Sequence, residues 1–242
     1  MTDYWKLRAE NYNKIDWVKD TEMLNKLISF CDLNEKHFVL DLGCGTGIVS
    51  NLIVDKVLEV MAIDKSKDML KQGSFHYKID VWNYDIEVSP LVINYFDRII
   101  ARMVFHHIYD VKKTFKYCYQ SLDKGGWLII EEGISPSDDK KVRKWTEEVR
   151  NLKEKRNHFT ERDLVKYYRR AGFRNVNTQI LTRKFSVKNW LANSWKDNEM
   201  YQQMWDLHLN APDYIKKAYN MEITENDIII ETKTLFIKGQ KI

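Results

Sequence analysis

Val39-Leu40-Asp41-Leu42-Gly43-Cys44-Gly45-Thr46-Gly47 joins an apolar lead and an acid to three glycines at alternate positions, and an apolar run from Ile48 to Leu58 follows. This pattern predicts a strand, a tight turn and the start of a helix. Glycine lets the backbone approach a ligand closely, and the first turn of a helix leaves N–H groups free to receive it. A ligand laid across the turn is the expectation.

Dinucleotide folds use a similar fingerprint, so charge and spacing must separate the two cases. The third glycine of G-x-G-x-x-G falls at position 48, which is Ile48. Asp41 would repel a pyrophosphate and attract an ammonium group. Val60-Met61-Ala62-Ile63-Asp64 reads as a second buried strand ending in an acid, where a ribose diol could donate two hydrogen bonds. An adenosine carrying an amino acid suits both acids.

On these residues the chain resembles the class I S-adenosylmethionine (SAM) dependent methyltransferases, in their small-molecule, type 11/25-like branch. The matches continue in order through Asp64-Lys65-Ser66 with Met69, Tyr84-Asp85-Ile86, Phe96-Asp97-Arg98-Ile99-Ile100, His106-His107 and Gly125-Gly126-Trp127-Leu128-Ile129. The resemblance implies a Rossmann-like α/β fold: a seven-stranded, mostly parallel sheet with an antiparallel last strand and helices on both faces. It implies SAM as cofactor and S-adenosylhomocysteine as product. The implied cofactor set is Asp41, Gly43, Gly45 and Gly47 of the loop, Asp64 and Lys65, Met69 beside the adenine, Asp85 with Ile86 at its amino group, and Arg102. Asp80 competes with Asp85 for that role. Arg8 and Tyr12, from N-terminal helices, are candidates for the methionine carboxylate.

His106 and His107 are the candidate catalytic residues, because an imidazole can take a proton near neutrality as the methyl arrives. The alternative is that His107 packs behind the turn into the next helix. The segment Ala101-Arg102-Met103-Val104-Phe105 lacks the Asn/Asp-Pro-Pro-aromatic motif of methyltransferases acting on bases and side-chain amides. Glu131 and Glu132 end the fifth strand; one could face the substrate, although strand-end acids are commonly solvated.

The chain has 242 residues, enough to bury a sizeable core as one domain. Its formal net charge is +4 with 31% charged residues, an ordinary balance that only weakly suggests an anionic partner. Three dispersed cysteines, Cys31, Cys44 and Cys118, indicate neither a disulfide frame nor a zinc site, and no metal is expected. No signal peptide or long apolar run is evident, so no membrane partner is expected and the cytoplasm is the expected compartment.

The expected organisation is one domain. N-terminal helices span 1–36, with Thr2 or Asp3 as a cap; the core spans 37–184 and 227–242; a helical lid spans 185–226. The lid departs from a minimal methyltransferase, carrying Trp190, Trp195, Met200, Met204, Trp205 and His208, with Pro212 opening its last helix. Such side chains line adaptable pockets, and point to a small acceptor that is apolar or aromatic in part. They are equally what the underside of a cap needs, and His208 is a further candidate base. Residues 137–155 read as an amphipathic helix with Val142, Trp145, Val149 and Leu152 inward and a charged face in solvent. Acids interleaved among its bases argue against nucleic acid. Two alternatives remain: an RNA or protein methyltransferase of the same fold, and a SAM-binding protein that does not transfer methyl.

Overall fold

The computed structural model describes residues 5, 9, 12, 13, 15–88, 91–192 and 198–242. The proposed caps Thr2 and Asp3, the candidate Arg8 and the lid residue Trp195 lie outside them.

The chain forms one eight-stranded sheet in the order β3-β2-β1-β4-β5-β8-β6. Strands β1 (Phe38–Leu42), β2 (Glu59–Asp64), β3 (Ile79–Asn83), β4 (Phe96–Arg102) and β5 (Leu122–Ile134) run parallel. β8 (Ile228–Gln240) inserts between β5 and β6 (Arg174–Ser186), antiparallel to both, and the two-residue β7 (Glu222–Ile223) pairs with it. The extra short strand makes eight where seven are expected; the mostly parallel α/β class is as predicted. Strand order reverses between β1 and β4, so their carboxyl ends open a crevice there.

Helices α1 (Thr21–Cys31), α2 (Ile48–Ile53), α3 (Lys67–Gln72), α4 (Val111–Ser121), α5 (Lys140–Lys153) and α6 (Glu161–Ala171) cover the sheet. Apolar residues on its two faces form separate clusters, one around Ile99, Phe105, Phe115 and Tyr168, the other around Leu27, Val39, Ile53 and Phe236. The expected helix over 48–58 is shorter, closing at Ile53 before a turn. α4 stops at Ser121, and Gly125-Gly126 run within β5, where Gly125 N–H donates to the Lys241 carbonyl and Lys241 N–H to the Gly126 carbonyl.

Three helices, α7 (Val187–Ala192), α8 (Asn198–Leu209) and α9 (Asp213–Ala218), occupy the long connection from β6 to β8. Their apolar faces meet Val142, Trp145 and Val149 of α5 in a third cluster with Leu191, Met204 and Ile215. Tyr219 and Thr146 join hydroxyls at 2.6 Å across that contact. The amphipathic pattern expected over 137–155 thus buries Val142, Trp145 and Val149 against the inserted helices, while Leu152, expected inward, is 38% exposed.

Candidate active site

The turn after β1 is held open by its own backbone. Gly43 and Cys44 both donate to the Ile63 carbonyl, at 2.8 and 3.0 Å, fixing the loop to β2. Gly43 has φ +69°, and a Cβ there would lie 2.5 Å from Val104 Cγ2. Gly45 has φ +56° and donates to Asp64 Oδ2 at 2.9 Å; a Cβ there would come within 3.2 Å of Met69 Cε. A side chain at either position would strain the backbone and fill the space above the loop.

Beside this loop lies a cavity lined by Gly43, Gly45, Asp64, Lys65, Met69, Tyr84, Asp85 and Ile86, and by Tyr12, Arg102 and His107. Asp64 takes N–H groups from Gly45 and Ser66 while keeping lone pairs toward the cavity. Burial raises its pKa, and those two donors oppose the rise. Asp85 is on the wall and Asp80 is not.

Two members of the expected cofactor set stand elsewhere. Asp41 is 1% exposed and accepts from Ser50 Oγ at 2.5 Å beneath the loop. It lines neither this cavity nor the larger one beside it. Desolvation pushes it up to about 6, opposed chiefly by the Ser50 hydrogen bonds. Gly47 also lies off the wall, with the Phe75 ring 2.5 Å from where its Cβ would be. The acid–glycine pattern marks the loop, while sequence spacing alone could not say which acid faces inward.

A second cavity, of about 190 Å³, adjoins the first and shares Trp5, Tyr12, Arg102, Met103 and His107 with it. Its walls come from the ends of β4, β5 and β8, from α5, and from the inserted helices. Glu131 and Glu132, of which one could face the substrate although strand-end acids are commonly solvated, are 0% and 1% exposed, and both face this cavity. Met103, at φ +55°, carries the backbone left-handed out of β4 and into this shared wall.

Arg102 pairs with Glu131 at 3.2 Å and donates to the Trp17 and Val18 carbonyls, bolting the N-terminal segment to the sheet. Glu131 is pushed up to about 7 by burial, with Arg102 opposing. Glu132 grips His106 twice, through Nδ1 at 2.6 Å and the backbone N–H at 3.2 Å, and also accepts from the Gly133 N–H. Burial pushes Glu132 up to about 7.

His107 contacts Glu154 through Nδ1 at 2.9 Å, and its pKa is pushed down to about 3 by burial and by the neighbouring His106. An imidazole that holds a proton so weakly is a poor base near neutrality. His208, buried, bonds the Met204 carbonyl at 2.7 Å and stands edge-on to Trp145. The charged residues of α5 are not all solvated: Arg150 and Lys153, with Arg156 just beyond, line the larger cavity.

Sequence reasoning passed over this charge arrangement because periodicity separates apolar from polar faces, and says nothing of which polar residues a later segment covers. It also missed Glu132 as the partner of His106, 26 residues away in sequence. Among the described residues, no group of three His, Cys, Asp or Glu side chains could hold a metal ion. No helix there is long and apolar enough to cross a membrane.

Known proteins agree with this architecture. A family described as a methyltransferase domain matches residues 18–178. An uncharacterized methyltransferase of Staphylococcus carnosus is 28% identical over 73% of this chain and 74% of its own. The YcgJ protein of Bacillus subtilis, also an uncharacterized methyltransferase, is 24% identical over 91% of this chain and 81% of its own; its crystal structure superposes with a TM-score of 0.84 at 18% identity, covering 91% and 98% of the two chains. A phosphoethanolamine N-methyltransferase of Haemonchus contortus, in complex with phosphomonomethylethanolamine and S-adenosylhomocysteine, shares the fold with a TM-score of 0.66 at 14% identity, over 99% of this chain and 58% of its own. With its glycine loop, switch-point crevice and matched residues 18–178, the chain belongs to the methyltransferase-domain family and is a class I SAM-dependent methyltransferase.

Proposed function

We propose that this enzyme binds SAM in the glycine-loop cavity and transfers its methyl group to an O, N or C atom of a small metabolite in the larger one. The observation that carries the reading is the shared wall at Tyr12, Arg102, Met103 and His107, which puts a nucleoside-type cavity next to a second, larger one. The mixed character of the first cavity fits an adenosine. Asp64 offers acceptor lone pairs to the ribose hydroxyls, Asp85 offers them to the adenine amino group, and Met69 and Ile86 supply apolar contact to the ring. The glycines leave room for the chain that links them.

Bound SAM supplies an activated methyl group on a cationic sulfur. The protein's task is to align the acceptor, exclude water and remove a proton. Alignment alone can account for about 7–11 kcal/mol of barrier lowering. For proton removal, we assign His106 as base and Glu132 as the residue that orients its ring. With Glu132 ionised, Nδ1–H donates to it and the imidazolium formed on taking a proton is stabilised by that carboxylate. The inserted helices and α5 wall the acceptor side, through Trp145, Val149, Trp190 and His208.

Incubation with methyl-labelled SAM and separate metabolite, RNA and protein pools tests this reading. Label is expected in a small molecule. Label confined to RNA or protein would overturn the acceptor class, and SAM binding without transfer to any pool would indicate a binding protein instead.

A further inference from the structure

His208 lines the larger cavity yet is only 2% exposed. Its Nδ1 lies 2.7 Å from the Met204 carbonyl, one turn back on α8. A carbonyl can only accept, so Nδ1 carries the ring proton and Nε2, across the ring, bears a lone pair. Burial lowers the pKa of the ring, with the Met204 carbonyl opposing and the charge of Arg150 adding to the fall. The imidazole is therefore neutral near neutrality and keeps this tautomer. Among the described residues nothing donates to Nε2. The rings of Trp145 and Trp190 stand in T-shaped contact with it, at 5.2 and 6.3 Å between centroids, and hold its plane.

A second lone pair lies beside the same indole. Tyr219, 4% exposed, lines the cavity and sits 5.4 Å from the Trp145 ring. Its hydroxyl meets Thr146 Oγ1 at 2.6 Å, and Thr146 Oγ1 meets the Val142 carbonyl at 2.9 Å. Both contacts hold a proton only if Thr146 donates to Val142 and Tyr219 donates to Thr146, which leaves Tyr219 Oη as an acceptor. Two buried groups beside Trp145 thus offer lone pairs and no proton. The surrounding cluster, with Leu191, Met204 and Ile215, is otherwise apolar, and its packing needs neither lone pair. A buried acceptor without a donor is unfavourable, so a donor from the ligand is what this wall lacks.

We propose that His208, through Nε2, determines specificity by accepting a hydrogen bond from a hydroxyl or N–H group of the methyl acceptor, whose apolar or aromatic body lies against Trp145. Tyr219 Oη is the second acceptor for such a group. This rests on the larger cavity being the acceptor site. In this role His208 recognises the molecule and takes no proton from it; proton removal stays with His106.

The test uses S-adenosylhomocysteine-loaded protein labelled with ¹⁵N-histidine and three probes of like shape: phenol, which donates, anisole, which only accepts, and toluene, which does neither. Calorimetry should show phenol binding about five- to tenfold tighter than the other two, the effect of one hydrogen bond to an otherwise unpaired buried group. The His208 Nε2 resonance should be of the unprotonated type in the free protein, and should move upfield with phenol alone. His208→Phe identifies that resonance by its loss and should bring phenol down to the affinity of toluene, with S-adenosylhomocysteine affinity and the circular dichroism spectrum unchanged. Should that variant misfold, the wild-type resonance decides. Equal binding of the three probes, no binding of phenol, an Nε2 resonance that phenol leaves in place, or a phenol preference that survives in folded His208→Phe would overturn the proposal. Failure of the wild-type protein to take S-adenosylhomocysteine would instead overturn the cofactor reading beneath it.

Discussion

Glu132 combines full burial with three hydrogen bonds to His106 and Gly133, so its charge and the orientation of the imidazole are set together. Glu132→Gln keeps the volume but cannot stabilise an imidazolium. Once an acceptor is in hand, kcat should fall roughly ten- to a hundredfold, within the range of general-base effects, and the acidic limb of the pH profile should shift. S-adenosylhomocysteine affinity should stay within about twofold; a parallel loss of affinity and rate would mean a structural role. Asp41 makes a different prediction, because its carboxyl is a core group. Its folded pKa, about 6, lies above the unfolded value of 3.8. The stability it contributes is therefore fully present below about pH 4 and is lost as pH rises through about 6, on the order of 3 kcal/mol at about 1.4 kcal/mol per unit. Asp41→Asn retains an acceptor for Ser50 without the charge. In urea denaturation, its stability relative to wild type should improve between pH 4.5 and pH 8; a constant difference would contradict the assignment.

Elements are fixed by local signals where their ends are exposed, and by long-range partners where they are buried. Thr160 and Asp163 form a capping box at the start of α6, a feature readable in the sequence, and Thr160→Ala should lower stability by about 1 kcal/mol in thermal unfolding. The end of β4 depends on the Arg102–Glu131 pair, whose side chains are 7% and 0% exposed. Arg102→Met leaves a buried carboxylate without its partner and frees the Trp17 and Val18 carbonyls, at a cost of about 3–5 kcal/mol. Hydrogen exchange should show the loss first in residues 16–19; uniform acceleration across the sheet would argue against an anchoring role.

For the whole molecule, the parallel core was legible because consecutive strand–turn–helix units carry their own punctuation, as at Gly43-Cys44-Gly45 and at Ser66, which caps α3. The order of the last strands and the three inserted helices were legible only in outline. What the sequence hid was inward direction: Asp41 turns to Ser50 and Asp64 to the cavity, although both lie in the last two residues of apolar strands beside the same loop. The cations of α5 face inward only because the inserted helices, up to 69 residues later at Tyr219, cover that side. Such facts depend on contacts between distant segments, and no local period encodes them.

Calorimetric titration of S-adenosylhomocysteine into wild type and Asp64→Asn bears on all of this at once. Uptake at one site per chain by wild type, weakened at least tenfold in Asp64→Asn, is the predicted result. Firm uptake of NAD with none of S-adenosylhomocysteine, or equal affinity in the two proteins, would contradict it.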